Sequence, residues 1–211
     1  MPDPATVGSL LKWARHQNLP HREAVALLAE ATDHTHAWVL AHPEAHLDAE
    51  SLRHWQDLAS RRVREEPRAY VLGRREFWSL DLQVSPAVLI PRIETESLVQ
   101  AVLDRMTDMT SPVVVDLGTG SGAIIIALGR ERPDAKLIAT DISSKALAVA
   151  RENARRHEDK VDWRQGHWLE ALGPDRVDVI VSNPPYIEPG DPHLQRGDLR
   201  FEPASALVAE H

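Results

Sequence analysis

Asp116-Leu117-Gly118-Thr119-Gly120-Ser121-Gly122 follows the apolar run Val113-Val114-Val115 and leads into Ala123-Ile124-Ile125-Ile126. The pattern is a buried strand, a glycine-rich turn and a helix. Glycines permit a tight turn and a close backbone approach to a ligand, and strand ends with a helix N-terminus form the usual ligand crevice of an open α/β sheet. Outward from this turn, helical and strand-like segments alternate. A helix is expected over 94–106, a strand over 113–117, a helix over 121–131 and a strand over 136–140. A helix over 144–157, a strand over 161–165, a short helix around Leu169 and a strand over 177–182 follow. Such alternation predicts a doubly wound, mostly parallel sheet covered on both faces.

The part before residue 74 reads differently. Val7, Leu10, Leu11 and Ala14 recur at helical spacing, as do Ala24, Leu27, Leu28 and Ala31. A third helix is expected from near Asp48 to Glu65, and a short one after Pro67. From Arg75 the period shortens, with strands suggested around Phe77, Leu80, Leu82, Val84 and Val88-Leu89-Ile90, and turns near Asp81 and Ser85-Pro86. The expected organisation is a small all-α domain over 1–73, a β-hairpin linker over 74–91 and an α/β domain over 92–211.

Forty-three percent apolar residues over 211 positions supply a packed core. The absence of cysteine excludes disulfides and thiolate metal sites. No apolar run reaches membrane-spanning length, and Pro2, Asp3 and Pro4 stand where a secretory signal needs a basic start, so a cytoplasmic location is expected. A net charge of −8 argues against nucleic acid as the partner. The arginines at 61, 62, 64, 68, 74 and 75 are expected to form a solvated, partly self-paired face.

The glycine turn alone does not name its ligand, because Gly118, Gly120 and Ala123 also satisfy the dinucleotide pattern. Asp141, 23 residues beyond Gly118, suits ribose hydroxyls in either case. Asp116 tips the balance, since a carboxylate repels a pyrophosphate yet suits the cationic amino group of S-adenosyl-L-methionine, directly or through water. The plainer alternative is a strand-end carboxylate bonding local backbone. Trp168 stands where an aromatic ring would cover an adenine, or simply fill core.

At the fourth strand, Ser182 is followed by Asn183-Pro184-Pro185-Tyr186. Two prolines after a strand would by themselves end pairing. The flanking residues suggest more. A planar amide or exocyclic nitrogen attacks poorly unless held, and the Asn183 side-chain oxygen and Pro184 carbonyl can each accept one N–H of an –NH₂ group. Proline restricts the backbone that aims this carbonyl, and Tyr186 offers a flat face for stacking. Methyl transfer is then an in-line displacement dominated by positioning.

With these residues in view, the chain resembles the release factor glutamine methyltransferases. The resemblance extends through 70–78 (Tyr-Val-Leu-Gly-Arg-Arg-Glu-Phe-Trp), Leu89-Ile90-Pro91-Arg92, Asp191-Pro192-His193-Leu194 and Arg200-Phe201-Glu202-Pro203. It implies a Rossmann-like class I methyltransferase domain behind a helical domain that grips the substrate, with class 1 peptide chain release factors as that substrate. It also implies cofactor contacts at Gly118, Thr119, Gly120, Ser121, Gly122, Asp141, Trp168 and Asn183, and capture of a glutamine amide by Asn183, Pro184, Pro185 and Tyr186. The chain departs from the family pattern at Ile93, where a proline is usual, and at His167, where an acid is usual. The family's sheet has further strands, so a C-terminally truncated four-stranded sheet is expected here. Its last strand would be an exposed edge, covered by a partner if the chain is not a piece of a longer protein.

Two other readings use the same residues: methylation of a base's exocyclic amine, and a binding module without turnover. His34, His36, His42 and His46 lack the spacing of a metal motif, so no metal site is expected. Glu94 and Glu96 are accounted for as first-turn acids of a helix.

Overall fold

The computed structural model describes residues 5–209; Pro2, Asp3, Pro4 and His211 lie outside them. The chain divides into two compact units, Met1–Leu72 and Gly73–His211.

The first unit is helical: α1 (Val7–His16), α2 (His21–Thr32), α3 (His36–Ala41), α4 (Ala49–Val63) and α5 (Arg68–Leu72). Its starts are capped as local chemistry dictates. The Thr6 hydroxyl accepts the Ser9 N–H, the Ser9 hydroxyl accepts the Thr6 N–H, and Asp48 Oδ1 accepts the Ser51 N–H. Leu10, Leu27, Leu28, Val39, Trp55 and Leu58 share one core, with Trp13 edge-on to Trp55. The arginine face is partly self-paired as expected: Arg61 binds both oxygens of Glu66, and Arg62 pairs with Glu23. The six-residue α3, capped by Thr35, is too short to show periodicity in the sequence.

The second unit opens with β1 (Arg74–Phe77) and β2 (Leu80–Gln83), an antiparallel hairpin in which Phe77 opposes Leu80. The turn therefore lies at Trp78-Ser79, not near Asp81, which is paired inside β2. Both turn residues carry positive φ, 51° and 59°, as a two-residue hairpin loop of the primed kind requires. The Val88–Ile90 run is irregular rather than a strand: it follows a turn over Pro86-Ala87, closed by the Val88 N–H on the Ser85 carbonyl, and prolines at 86 and 91 bracket it without N–H groups for a ladder. The hairpin is also not a free-standing linker. Phe77, Leu80 and Leu82 are buried in the same cluster as Ile125, Ile126 and Leu128.

A 3₁₀ turn (Ile93–Thr95) precedes α6 (Glu96–Arg105). Then follow β3 (Val113–Leu117), α7 (Ala123–Glu131), β4 (Lys136–Asp141), α8 (Ser144–His157), β5 (Val161–Gln165), a 3₁₀ helix (Trp168–Leu172) and β6 (Val179–Ser182). The sheet is parallel in the order β5-β4-β3-β6. Every residue of α7 from Ala123 to Gly129 is buried, so its sequence is apolar all round rather than striped. Among the described residues β6 is an edge strand, with Ile180 52% exposed. Beyond it the chain runs in 3₁₀ turns (Pro192–Gln195, Gly197–Phe201, Ala204–Ala206) and returns to bridge Ile187 with Val208. No helix among the described residues is long and apolar enough to cross a membrane.

Candidate functional site

Two adjoining cavities open at the carboxyl ends of the strands in the second unit. The first, of about 220 Å³, is lined by Gly118, Thr119, Gly120, Ser121, Asp141, His167, Trp168, Asn183 and Pro185, among others. The second, of about 360 Å³, is lined by Asn183, Pro184, Tyr186 and Glu94, with apolar neighbours such as Leu98 and Leu199. Leu89, Arg92, Thr95, Asn183 and Ala206 line both. Asn183-Pro184-Pro185-Tyr186 thus straddles the boundary: Pro185 faces one cavity, Pro184 and Tyr186 the other, and Asn183 both.

The glycine turn is shaped by its neighbours. The N–H groups of Gly118 and Thr119 both donate to the Thr140 carbonyl at 2.9 Å. Asp141 accepts the Gly120 N–H on Oδ2 at 2.9 Å and the Ser143 N–H on Oδ1 at 2.8 Å. Gly118 and Gly120 have φ of 71° and 57°, with no atom within 4 Å of where a Cβ would stand. The space in front of this backbone is open to a ligand, and a side chain would intrude on it. Each Asp141 oxygen retains a lone pair, so hydroxyl donors remain acceptable there.

Gly122 does not line the cavity. Its φ is 82°, and a Cβ would lie 3.0 Å from Ile126 Cδ1 and 3.2 Å from Ala150 Cβ. The close packing of α7 on α8 at this point is by itself a reason for glycine. Asp116 also stands behind the cavity wall. It is fully buried, and its Oδ2 accepts the Thr119 hydroxyl at 2.6 Å, while Oδ1 has no partner among the described residues. Burial pushes its carboxyl up to about 7, against the lowering effect of the Thr119 hydrogen bond. Asp116, expected to meet a ligand directly or through water, does not line the cavity, and Thr119, bonded to it, does.

Trp168 is 38% exposed at the cavity and has φ of 44°, a left-handed backbone that a bulky residue adopts at some cost. His167 lines the same wall, its ring edge-on to Trp168 with centroids 6.1 Å apart. Tyr186 is 79% exposed, and Ile93 is 66% exposed.

Several site residues have no local signal in the sequence. The Arg92 guanidinium donates to both oxygens of Glu202 at 2.6 and 2.7 Å, and the Glu202 side chain is buried. Burial raises the Glu202 carboxyl, and Arg92 opposes that rise. This pair ties the returning segment, which contributes Pro203, Ser205 and Ala206, to the cavity wall. Both residues fall in stretches that carry the family resemblance, but nothing in the sequence shows that they pair. Thr95 Oγ1 accepts from Asn183 Nδ2 at 3.4 Å. Glu96, one residue on, accepts the Trp78 N–H and so secures the hairpin, while Glu94 lines the second cavity. In the first unit His34 and His42 pack on either side of Trp38, and no metal-holding group occurs among the described residues.

Two family models match the chain. Residues 9–73 match the PrmC N-terminal domain and residues 94–205 the Methyltransferase small domain. The release factor glutamine methyltransferase of Xylella fastidiosa (strain 9a5c) is 48% identical over 210 residues, 99% of this chain and 75% of that one. The enzyme of the same name from Escherichia coli (strain K12) is 46% identical over 191 residues, 90% of this chain and 69% of that one. Among solved structures, the catalytic domain of hMettl16, in complex with MAT2A 3′UTR hairpin 1, has a TM-score of 0.50 at 17% identity. The match covers 73% of this chain and 57% of that one, and shows likeness of fold alone. The expected α/β methyltransferase fold behind a helical domain is present, and with almost half its residues shared across most of its length, the chain belongs to the release factor glutamine methyltransferase family.

Proposed function

We propose that the chain transfers a methyl group from S-adenosyl-L-methionine to the side-chain amide nitrogen, N5, of the glutamine in the Gly-Gly-Gln motif of class 1 peptide chain release factors, in the cytoplasm. The observation that carries this reading is the pair of cavities meeting at Asn183. A donor held against the glycine turn and an amide held against Pro184 and Tyr186 would face each other across one residue.

The first cavity fits the donor on chemical grounds. The open space before Gly118 and Gly120, the free lone pairs of Asp141 and the face of Trp168 match a methionine chain, a ribose and an adenine. When bound, S-adenosyl-L-methionine supplies an electrophilic methyl on a sulfonium. Asn183 Oδ1 and the Pro184 carbonyl would accept the two N–H groups of the glutamine amide, fixing its plane and favouring a more electron-rich nitrogen. Tyr186 would cover the amide's face. The departing proton becomes acidic only as the nitrogen gains its fourth bond, so water suffices to take it. Alignment does most of the work, and well-oriented displacements gain roughly 7 to 11 kcal/mol this way.

The test is mass spectrometry of a class 1 release factor incubated with the chain and S-adenosyl-L-methionine, with a parallel RNA arm and an Asn183→Ala control. The expected product carries one methyl on the Gly-Gly-Gln amide and is lost with Asn183→Ala. Methyl transfer to RNA but not to the protein would replace this reading with base methylation, and release factor binding without transfer would replace it with a binding module.

A further inference from the structure

Asn183 has two chemically opposite ends, and only one is useful toward an amino group. If Nδ2 faced the second cavity it would present donors to a group that itself only donates; Oδ1 must face it. A side-chain amide turns by 180° with little change in shape, so something has to break the symmetry. Backbone geometry does not, because Pro184 constrains the chain and not the amide rotation about Asn183.

Among the described residues Asn183 makes one side-chain hydrogen bond, from Nδ2 to Thr95 Oγ1 at 3.4 Å. Both residues line both cavities, so the bond lies at their boundary. Thr95 is well placed to serve as a fixed partner. Its N–H donates to the Arg92 carbonyl at 3.0 Å, closing the 3₁₀ turn (Ile93–Thr95), and the Arg92 side chain is anchored on buried Glu202. On the other side, the Ser182 hydroxyl donates to the Leu117 carbonyl at 2.8 Å and holds the end of β6 to β3. The two elements that meet at this bond are therefore each tied down separately, and the bond gives Nδ2 an acceptor when Oδ1 faces the second cavity.

We propose that Thr95 is a positioning residue that accepts from Asn183 Nδ2 and so steadies the orientation in which Oδ1 faces the acceptor nitrogen. This rests on the reading of Asn183 as the amide's acceptor. A bond of 3.4 Å is at the weak end of hydrogen bonding and adds little to folding, so its loss should be read in turnover rather than in stability. Without it Nδ2 has no acceptor in the orientation that offers Oδ1 to the second cavity, and that orientation loses its hold.

The experiment compares Thr95→Val, which keeps the shape and removes the hydroxyl, with Thr95→Ser, which keeps it. Thr95→Val is expected to lower kcat about tenfold, the loss of one oriented hydrogen bond, with the thermal midpoint and the dissociation constant for S-adenosyl-L-methionine unchanged. Thr95→Ser is expected to restore kcat to within about twofold, since the acceptor remains. In the double variant, Thr95→Val should add nothing to Asn183→Ala, because there is no amide left to orient. Equal kcat for Thr95→Val and the natural chain, with Asn183→Ala inactive, would overturn the inference and leave the Asn183 reading standing. Full activity of Asn183→Ala would instead overturn the Asn183 reading. A weakened dissociation constant for S-adenosyl-L-methionine in Thr95→Val with unchanged kcat would make Thr95 a ligand contact and overturn the positioning role.

Discussion

The turns that leave β3 and β6 start side by side, from Leu117 and Ser182, which are paired in the sheet, yet they are built on opposite principles. The Gly118–Ser121 turn gets its shape from its neighbours: Thr140 and Asp141 receive its N–H groups, and Thr119 and Ser121 are buried. The Asn183–Tyr186 turn gets its shape from its own covalent structure, through two successive prolines, and ends on a tyrosine that is mostly in solvent. A turn fixed by neighbours suits a small ligand enclosed on several sides. A turn fixed from within keeps its form while one side stays open, as an acceptor carried on another protein would demand.

This contrast predicts different kinds of damage on the two sides. Asn183→Ala removes a group at the boundary of the two cavities, so methyl transfer should fall about 100-fold or more, far more than the affinity for S-adenosyl-L-methionine, while the fold persists; calorimetry and turnover on one preparation check both. A parallel loss of cofactor affinity would erase the division of labour. On the other side, Gly122→Ala should act through folding. The positive φ and the contacts at 3.0 and 3.2 Å predict a loss of about 2 to 4 kcal/mol in denaturant titration. An unchanged midpoint would show that the close packing of α7 on α8 is not what requires glycine there.

Asp116 sharpens the contrast through pH. Its carboxyl stands near 7 when folded, above its ordinary 3.8, because it is buried. Folding therefore takes up a proton between those values. The stability it favours is complete below about pH 4 and declines as pH rises toward 7, by at most about 1.4 kcal/mol per pH unit. Asp116→Asn abolishes the titration. The stability of the natural chain relative to this variant should fall steadily from about pH 4 to about pH 7 and level off above, as thermal melts across that range would record. A flat difference would mean that Asp116 stays charged, its cost met by groups other than Thr119.

The parallel sheet was legible because its evidence is local. Val113–Leu117, Val161–Gln165 and Ser144–His157 coincide with their expected bounds, the last because Ser143 caps it with its side chain on the Ala146 N–H. The lining of the candidate site was legible where chemistry and sequence run together, as at Gly118–Ser121 and Asn183–Tyr186. It was not where partners meet across the chain: Thr95 and Asn183 are 88 residues apart, Arg92 and Glu202 110. Gly122 illustrates a subtler limit, since a glycine needed for helix packing looks the same as one needed for a ligand. Asp116 stands out in the sequence as a strand-end carboxylate, but nothing there shows that Thr119 lies in front of it.

The hairpin turn at Trp78-Ser79 has a practical side. Both residues sit in a left-handed conformation without being glycine or asparagine, while Trp78 is engaged through its N–H to Glu96 and its indole N–H to Glu131. Ser79 has no such tie among the bonds of the described residues, so its backbone strain can be relieved without breaking a side-chain contact. Ser79→Gly should raise the free energy of unfolding by about 0.5 to 1 kcal/mol. Ser79 lines neither cavity, which makes this turn a place to toughen the enzyme for handling and storage without altering the surfaces on which transfer would depend.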